Sequence, residues 1–436
     1  SQEILITPDG DSVLDLGQVI AGYVSLTVDA PSGVEIKLEH SEVLNEHGNF
    51  INNIIGVNKD QTDIYITKEG RQSYTPWFTY HGFRFVRITG WPGVPTIEDF
   101  EAIVLSSDMR DTGSFSTSDE RLNRLQENIW WSQVGNTLSI PTDCPQRERA
   151  GWTGDIFAYA PTAAFNRDVD AFLTRWLTEC RHDQLDAGEI PMVVPYLPGY
   201  RNVVAKVAKT DTSCGWGDAI LGVPWALYKA YGNKQVLVDN YDAMKRWIRY
   251  AENRVRNHHP VGYKSYPADK KQRSSYLWNS DFHYGDWLIP SMLMQDDADA
   301  GTMALTALLT MFVVGPAYFA YSTAKFAEIA ELLDHAEDAR YYRDLNQKVR
   351  RAFIEEFVHE DGTMDADFQG IYVIALQMGL VTEELRPKMV QHLCALIEKN
   401  RNCLDTGFLS IPFLMDVLCK NGRRDVAYKL LFQENC

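Results

Sequence analysis

The sequence lacks the patterns that would identify several common classes of protein. It has no CxxC pair, and its seven cysteines are irregularly spaced, so we expect free, mostly buried thiols rather than a zinc site or a disulfide framework. Two surface loops, predicted over 193–212 and 256–282, contain neither a phosphate-binding glycine pattern nor a helix-borne HExxH. No metal site is therefore predicted.

Positive charge is also in short supply. The chain has 42 Lys and Arg against 59 Asp and Glu, a formal net charge of −17, which argues against nucleic acid or an anionic membrane as a partner. We find no run approaching the apolar length of a membrane helix and no signal peptide before Ser1. Because the chain opens without Met, we expect the natural start to lie upstream. A neutral ligand fits this composition best.

Aromatic residues, in contrast, are abundant at 12%, with 11 Trp and 21 Tyr. Three loops, Asp143–Asp155, Cys214–Asp218 and Tyr284–Trp287, each combine Gly, Trp and Asp. Aromatic faces can cover the C–H surface of a sugar while carboxylates bind its hydroxyls, so the three loops together favour a carbohydrate site. The alternative is that most of these aromatic side chains belong to the core.

The chain changes character near residue 108. Before it, short apolar–polar alternations such as Val24–Val28 and Val34–Leu38 predict an antiparallel β-sandwich over 1–108. After it, a capping box at Thr117–Glu120 opens a helical region over 109–436. Stacked helical hairpins are expected there, as a bundle or an α/α toroid. The predicted helices span 156–165, 168–182, 218–231, 235–256, 301–334, 338–357, 369–379, 383–399, 409–419 and 423–432.

The loop Asp143–Asp155 packs three carboxylates, two guanidinium groups and an indole into thirteen residues with almost no helix or strand periodicity. Charged groups in such a segment need partners or a ligand, so we interpret it as an active-site loop. Glycosidic hydrolysis needs a carboxylic acid and a second carboxylate, about 5 Å apart for retention or about 6.5–9.5 Å for inversion. Glu148 is our candidate acid, the alternative being a surface ion pair. Helix capping is the alternative role for Asp143, Asp155, Asp218 and Asp286.

This loop resembles the signature of glycoside hydrolase family 78, the α-L-rhamnosidases of bacterial type. Further blocks agree with the resemblance, which spans nearly the whole chain: Asp15–Gln18, Gly22, Phe78–Arg84, Trp216–Ala219 and Gly285–Leu288. The resemblance implies a β-sandwich followed by an (α/α)6 barrel, and inverting hydrolysis of terminal α-L-rhamnose without a cofactor. The substrate would be a rhamnose-containing oligosaccharide or glycoside.

The resemblance also implies roles for single residues, with Glu148 as the general acid. The residues expected to hold sugar hydroxyls or to wall its apolar face are Asp143, Arg147, Trp152, Asp155, Trp216, Asp286 and Trp287. Some family members carry an additional acidic residue between the positions of Arg147 and Glu148, which this sequence lacks.

The family's general base lies in a Gly-Ala-Thr-Thr-x-Trp-Glu block, and we find no copy of it here. We therefore expect the chain to be a fragment whose base lies beyond Cys436, with an incomplete barrel and low activity of its own. Two alternatives remain: a carbohydrate-binding protein without catalysis, and a related (α/α)6 glycosidase of different sugar specificity.

Overall fold

The computed structural model describes residues 3–54, 60–196, 211–294 and 300–436. The chain forms two compact units. Unit 1 comprises 1–152 and 165–172, and unit 2 comprises 153–164 and 173–436. The predicted boundary at 108/109 falls inside unit 1 by this division, because the helix Glu120–Gly135 packs against the long second strand of the sheet. That boundary therefore stays a prediction.

Unit 1 is built on an antiparallel sheet, as the sequence predicts. Seven strands are paired among its described residues, in the order β1-β2-β6-β3-β4, with β5 and β7 also paired to β2. Alternating side chains such as Leu14, Val24, Leu26 and Ile36 are buried in its core. The strands are β1 Glu3–Ile6, β2 Ser12–Ala30, β3 Glu35–Ser41, β4 Thr62–Ile66, β5 Gly70–Tyr74, β6 His81–Thr89 and β7 Phe100–Val104.

Strand β2 is the element around which the sheet is arranged. Its first half pairs with β1 and β6, and its second half pairs with β5 and β7. The register with β6 shifts between Asp15 and Ile20, where Gly17 has a φ of 73° that suits glycine. Strand β2 thus stays paired with β6 on both sides of the irregularity.

Unit 2 is helical, and the predicted helices are found with ends within about one turn of those expected, except that the helix predicted to begin at 409 begins at Leu414, after the 3₁₀ turn Ile411–Phe413. Four consecutive helix pairs pack as hairpins among its described residues: α4 with α5, α8 with α9, α10 with α11, and α12 with α13. The helices from residue 120 onward are α1 Glu120–Gly135, α2 Thr153–Asn166, α3 Asp170–Asp183, α4 Ala219–Tyr231, α5 Gln235–Asn257, α6 Ala268–Ser274, α7 Pro290–Leu293, α8 Ala300–Leu332, α9 Ala336–Phe357, α10 Gln369–Gln377, α11 Arg386–Lys399, α12 Leu414–Lys420 and α13 Arg424–Leu431.

Three local predictions need correction or restriction. The capping box is wrong, because α1 begins later and its N-cap is Asp119, whose carboxylate accepts from the Arg121 N–H. The predicted loop 256–282 contains a 3₁₀ turn, Tyr263–Ser265, and helix α6. Of the other predicted loop, residues 197–210 lie outside the described part of the chain.

The prediction that no run approaches the apolar length of a membrane helix is wrong for helix α8. Its segment Gly301–Leu332 is long and apolar enough to cross a membrane by length and composition alone, with a mean hydropathy of 1.8 in the best window. However, 67% of that window is buried inside the protein, as in a core helix. Four apolar side chains at helical spacing, Leu305, Leu308, Leu309 and Phe312, are nevertheless exposed.

The cysteines also depart from expectation. Cys403 and Cys436 form a disulfide across a sequence separation of 33 residues, so the prediction that all thiols are free is wrong. The other five are free, and all but Cys419 are buried. The irregular spacing of the cysteines gave no sign of this pair, because the two positions meet only through the packing of the last helices.

Candidate active site

The loop Asp143–Trp152 of unit 1 is closed on itself by its first carboxylate. The Asp143 N–H donates to the Ala150 carbonyl at 3.1 Å, and the Ala150 N–H donates to Asp143 Oδ1 at 3.0 Å. The other carboxylate oxygen accepts from the Cys144 thiol at 2.9 Å. Asp143 therefore shapes the loop. Each of its oxygens has a second lone pair that could also accept from a sugar hydroxyl.

Cys144 joins the start of the loop to the candidate acid. Its sulfur accepts from the Glu148 N–H at 3.4 Å while its thiol donates to Asp143. Burial raises the pKa of Cys144, and the hydrogen bond to Asp143 and the charge of that carboxylate raise it further. The thiol thus stays protonated and keeps donating.

Glu148 is half-buried and is oriented by an indole. Trp152 donates its Nε1–H to Glu148 Oε2 at 2.7 Å. An indole N–H can only donate, and an unprotonated carboxyl oxygen is a better acceptor than a hydroxyl oxygen. The contact therefore favours Oε1 as the oxygen that carries the proton when Glu148 is protonated. The neighbouring Arg147 side chain is exposed.

Two side chains that directly precede strands of the sheet, Gln61 before β4 and Tyr80 before β6, support the other end of this loop. Gln61 donates from Nε2 to the Gln146 carbonyl at 3.2 Å and accepts at Oε1 from Arg149 at 3.4 Å. The Arg149 guanidinium also lies over the Tyr80 ring, 4.6 Å from its centroid. Burial lowers the pKa of Arg149 and raises that of Tyr80. The loop is therefore attached to the sheet on both sides of Glu148.

Two histidines from the neighbouring strands β3 and β6 come together in this region. The rings of His40 and His81 stack at 4.1 Å, and His81 Nε2 lies 3.0 Å from Asp63 Oδ1. His40 donates from Nδ1 to the Gln61 carbonyl at 3.0 Å. Burial, followed by the charge of His81, lowers the pKa of His40 to about 3, so His40 is neutral. No sequence signal brings these strands together, because their pairing is nonlocal.

The side chains of His40, Asp63 and His81 are of the types that bind metal ions. Their candidate ligand atoms all lie within 4.8 Å of one another. A metal ion would have to displace the hydrogen bond between His81 and Asp63, and it would share Asp63 with the positive charge of Arg149. Despite its burial, Asp63 has a lowered pKa because His81, His40 and Arg149 favour its ionised form. We therefore assign the cluster to a structural hydrogen-bond network around Asp63.

The remaining candidate residues lie in unit 2. Asp155 is half-buried in the first turn of α2, which begins at Thr153, so Asp155 is not the residue that precedes the helix. A carboxylate in this turn is favoured by the helix dipole. Trp216 is only 3% exposed and packs on Tyr284 and Phe408, with ring centroids 4.5 and 5.7 Å away.

Trp287 lies on another side of Tyr284, with the ring centroids 5.1 Å apart, and is half-buried. The structure therefore brings Trp216 and Trp287 together around one tyrosine. Only Trp287 of this pair is partly open to solvent, so Trp216 supports the aromatic group from within.

Asp286 is where the structure corrects the sequence interpretation. It is fully buried, and its carboxylate accepts from the N–H groups of Gly407, Leu409 and Ser410 at 2.9, 3.1 and 3.0 Å. The Ser410 hydroxyl adds a fourth hydrogen bond at 2.7 Å. Burial raises the pKa of Asp286 to about 6, although these hydrogen bonds oppose the shift. Asp286 thus anchors the loop 407–410 and has no exposed surface.

Asp218 has a comparable position. It accepts from the Gly215 N–H at 2.7 Å, from Trp247 Nε1 at 3.0 Å and from the Ser322 hydroxyl. Burial raises its pKa to about 6. Asp218 makes no side-chain capping bond to α4, so neither the capping nor the sugar-binding interpretation applies.

Comparison with known proteins identifies the family. Residues 110–436 match the family described as bacterial alpha-L-rhamnosidase 6 hairpin glycosidase domain, and residues 6–106 match the bacterial alpha-L-rhamnosidase concanavalin-like domain. The chain belongs to the bacterial α-L-rhamnosidase family. This confirms the resemblance and the predicted order of an antiparallel sheet domain followed by a helical-hairpin domain.

Individual relatives agree with this assignment. An alpha-L-rhamnosidase from Streptomyces avermitilis is 40% identical over 426 residues, which cover 97% of this chain and 37% of the relative. An alpha-L-rhamnosidase from Formosa agariphila is 35% identical, and the match covers 100% of this chain and 43% of that relative. A crystal structure of a Streptomyces avermitilis alpha-L-rhamnosidase complexed with L-rhamnose matches with a TM-score of 0.84 and 38% identity, covering 99% of this chain and 38% of that chain. The chain thus spans less than half the length of these relatives.

Proposed function

We propose that the protein containing this chain is an inverting α-L-rhamnosidase that releases terminal α-L-rhamnose, with Glu148 as its general acid. The observation that carries this proposal is the hydrogen bond from Trp152, which orients the Glu148 carboxyl and favours a proton on its other oxygen. Glu148 lies in a chain of the bacterial α-L-rhamnosidase family. One similar structure is that of a Streptomyces avermitilis alpha-L-rhamnosidase complexed with L-rhamnose.

In this mechanism Glu148 donates its Oε1 proton to the glycosidic oxygen as the bond to the anomeric carbon breaks. A second carboxylate removes a proton from the attacking water. Asp218 and Asp286 do not suit that task, because both are buried and enclosed by hydrogen-bond donors. We propose that the base is a glutamate downstream of Cys436.

The sugar contacts are further parts of the proposal. Asp143, Arg147 and Asp155 are proposed to bind rhamnose hydroxyls, and Trp152 and Trp287 to contact its apolar face. We do not propose Asp286 as a sugar contact, and we propose Trp216 only as a support for the aromatic group, because both residues are buried.

The test compares this chain with a form extended downstream, using an aryl α-L-rhamnoside. We expect turnover in the extended form, its loss in Glu148→Gln, and little or no turnover in the chain alone. The matched control is Glu127→Gln, which alters an exposed glutamate paired with Arg124 and should leave turnover unchanged.

Three outcomes would contradict parts of the proposal. Turnover that survives Glu148→Gln would remove Glu148 as the acid. Robust turnover by the chain alone would refute the downstream base. Rhamnose binding by calorimetry without turnover in either form would favour a carbohydrate-binding protein, and hydrolysis of another glycoside in a substrate panel would favour a different specificity.

A further inference from the structure

We propose that Arg149 and Gln61 are positioning residues for the general acid: the sheet of unit 1 holds Glu148 in place through these two side chains. The inference rests on the proposed function of Glu148. It concerns residues that neither touch the sugar nor take part in proton transfer, and its basis is the set of contacts beneath the loop.

The loop has little regular structure of its own to hold the acid. Residues 144–150 form turns between the short strand Ile140–Pro141 and α2, without a ladder of backbone hydrogen bonds. Arg149, the residue after Glu148, has a φ of 54°, in the left-handed region that a long side chain rarely adopts. Such a conformation is strained and persists only where the surroundings enforce it.

The Gln61 side chain holds this conformation by hydrogen bonds to the loop on both sides of Glu148. Its amide nitrogen binds the carbonyl of Gln146, and its amide oxygen faces the guanidinium of Arg149. Gln61 itself is 2% exposed. One buried amide therefore connects the residue two positions before the acid to the residue directly after it.

The position of Gln61 is fixed in turn by the histidine cluster. His40 donates to the Gln61 carbonyl, and the charge of Asp63 attracts Arg149. Asp63 is held by its hydrogen bond to His81. Positive charge on the loop is thus balanced by a carboxylate of the sheet, which keeps Arg149 over the Tyr80 ring.

The closeness of the loop to strand β6 depends on a glycine. A Cβ at Gly82 would lie 2.8 Å from Pro145 Cγ and 3.0 Å from the Gln146 backbone nitrogen, so any larger residue would push the loop outward. The contact adds a steric surface to the polar attachments of Gln61 and Arg149.

This arrangement predicts a defect confined to proton donation. A misplacement of about 1 Å at a reacting group can cost about 100-fold in rate. Protonation of the leaving oxygen is required for an alkyl leaving group and is nearly dispensable for a strongly acidic one such as dinitrophenol. Loss of positioning should therefore reduce the rates of the two kinds of rhamnoside by different factors.

The experiment uses the downstream-extended form and two substrates, methyl α-L-rhamnoside and 2,4-dinitrophenyl α-L-rhamnoside. Arg149→Met should lower kcat/KM for the methyl glycoside about 100-fold and for the dinitrophenyl glycoside less than about threefold. Gln61→Met should show the same split, and Arg149→Lys should recover part of the loss because it restores the charge. Arg110→Met, at an exposed arginine paired with Asp168, is the control.

The outcomes distinguish a failure of the positioning role from a failure of the proposed function. Equal losses on both substrates in Arg149→Met and Gln61→Met would indicate general destabilisation and overturn the positioning role, as would no loss on either. A wild-type protein that hydrolyses neither rhamnoside would overturn the proposed function itself, and the positioning role with it. Circular dichroism and thermal unfolding of each variant show whether it retains the wild-type fold.

Discussion

Removal of the Asp286 carboxylate should strongly destabilise unit 2. This side chain accepts three backbone hydrogen bonds and one hydroxyl hydrogen bond from the segment 407–410, all in a fully buried position. Asp286→Ala leaves these four donors without their acceptor. Because the partners lie more than a hundred residues away in sequence, the substitution also frees two loops from each other.

The size of the effect follows from the donors. An unsatisfied buried donor costs about 1–3 kcal/mol, so four give at least about 4 kcal/mol at the low end of that range. Ser410→Ala removes only the hydroxyl donor and should cost about 1.5–3 kcal/mol, the usual contribution of a hydrogen bond to a charged group. Asp416→Ala is the matched control. It breaks an exposed i,i+4 pair with Lys420 and should cost no more than about 0.5 kcal/mol.

The assay is urea unfolding at pH 7, combined with hydrogen exchange at the amides of Gly407, Leu409 and Ser410. A loss of about 4 kcal/mol corresponds to roughly a thousandfold faster exchange through opening. If Asp286→Ala unfolded within about 1 kcal/mol of the wild type, the loop-anchoring role would be refuted, and the earlier assignment of Asp286 to the sugar site would regain support.

Three further predictions concern packing, pH and the disulfide. Gly154→Ala places a Cβ 2.5 Å from an indole ring and should lower stability in thermal unfolding by about 1–3 kcal/mol, whereas Gly113→Ala, with no atom within 4 Å, should change it little. The stability advantage of wild type over His40→Gln should shrink as pH falls from 6.5 towards 3, because the unfolded chain protonates this histidine first; a constant difference between pH 7 and pH 4.5 would contradict this. Reduction of the Cys403–Cys436 disulfide should cost about 3–4 kcal/mol, and reductant should have no effect on a Cys436→Ser variant.

Local patterns in the sequence were sufficient for much of the fold. Apolar alternation located strands such as β3, predicted from Val34–Leu38, and helical spacing located long helices such as α8 and α9, because both signals arise from neighbouring residues. The capping box at Thr117 failed for a local reason as well: Asp119, two residues later, is an equally good cap and lies next to the helix start.

The site was predictable only in part. The composition of the loop Asp143–Asp155 led to Glu148 as the candidate acid, a role that stays a proposal. The same reasoning selected Asp286, because an Asp beside Trp and Gly has the same sequence signature whether it binds a sugar or a buried loop. What distinguishes the two is the presence of donors from 407–410, which is a property of tertiary packing. The support of Glu148 by Gln61 was invisible for the same reason.

The thiol of Cys144, in the loop that carries Glu148, is protected against oxidation and alkylation. Oxidants and alkylating reagents attack the thiolate, and burial together with the adjacent Asp143 keeps this sulfur protonated. Cys419, by contrast, is the free cysteine that is exposed. Mild treatment with a maleimide dye should therefore attach a single label at Cys419, far along the chain from Glu148, and leave the hydrogen bonds around Glu148 intact.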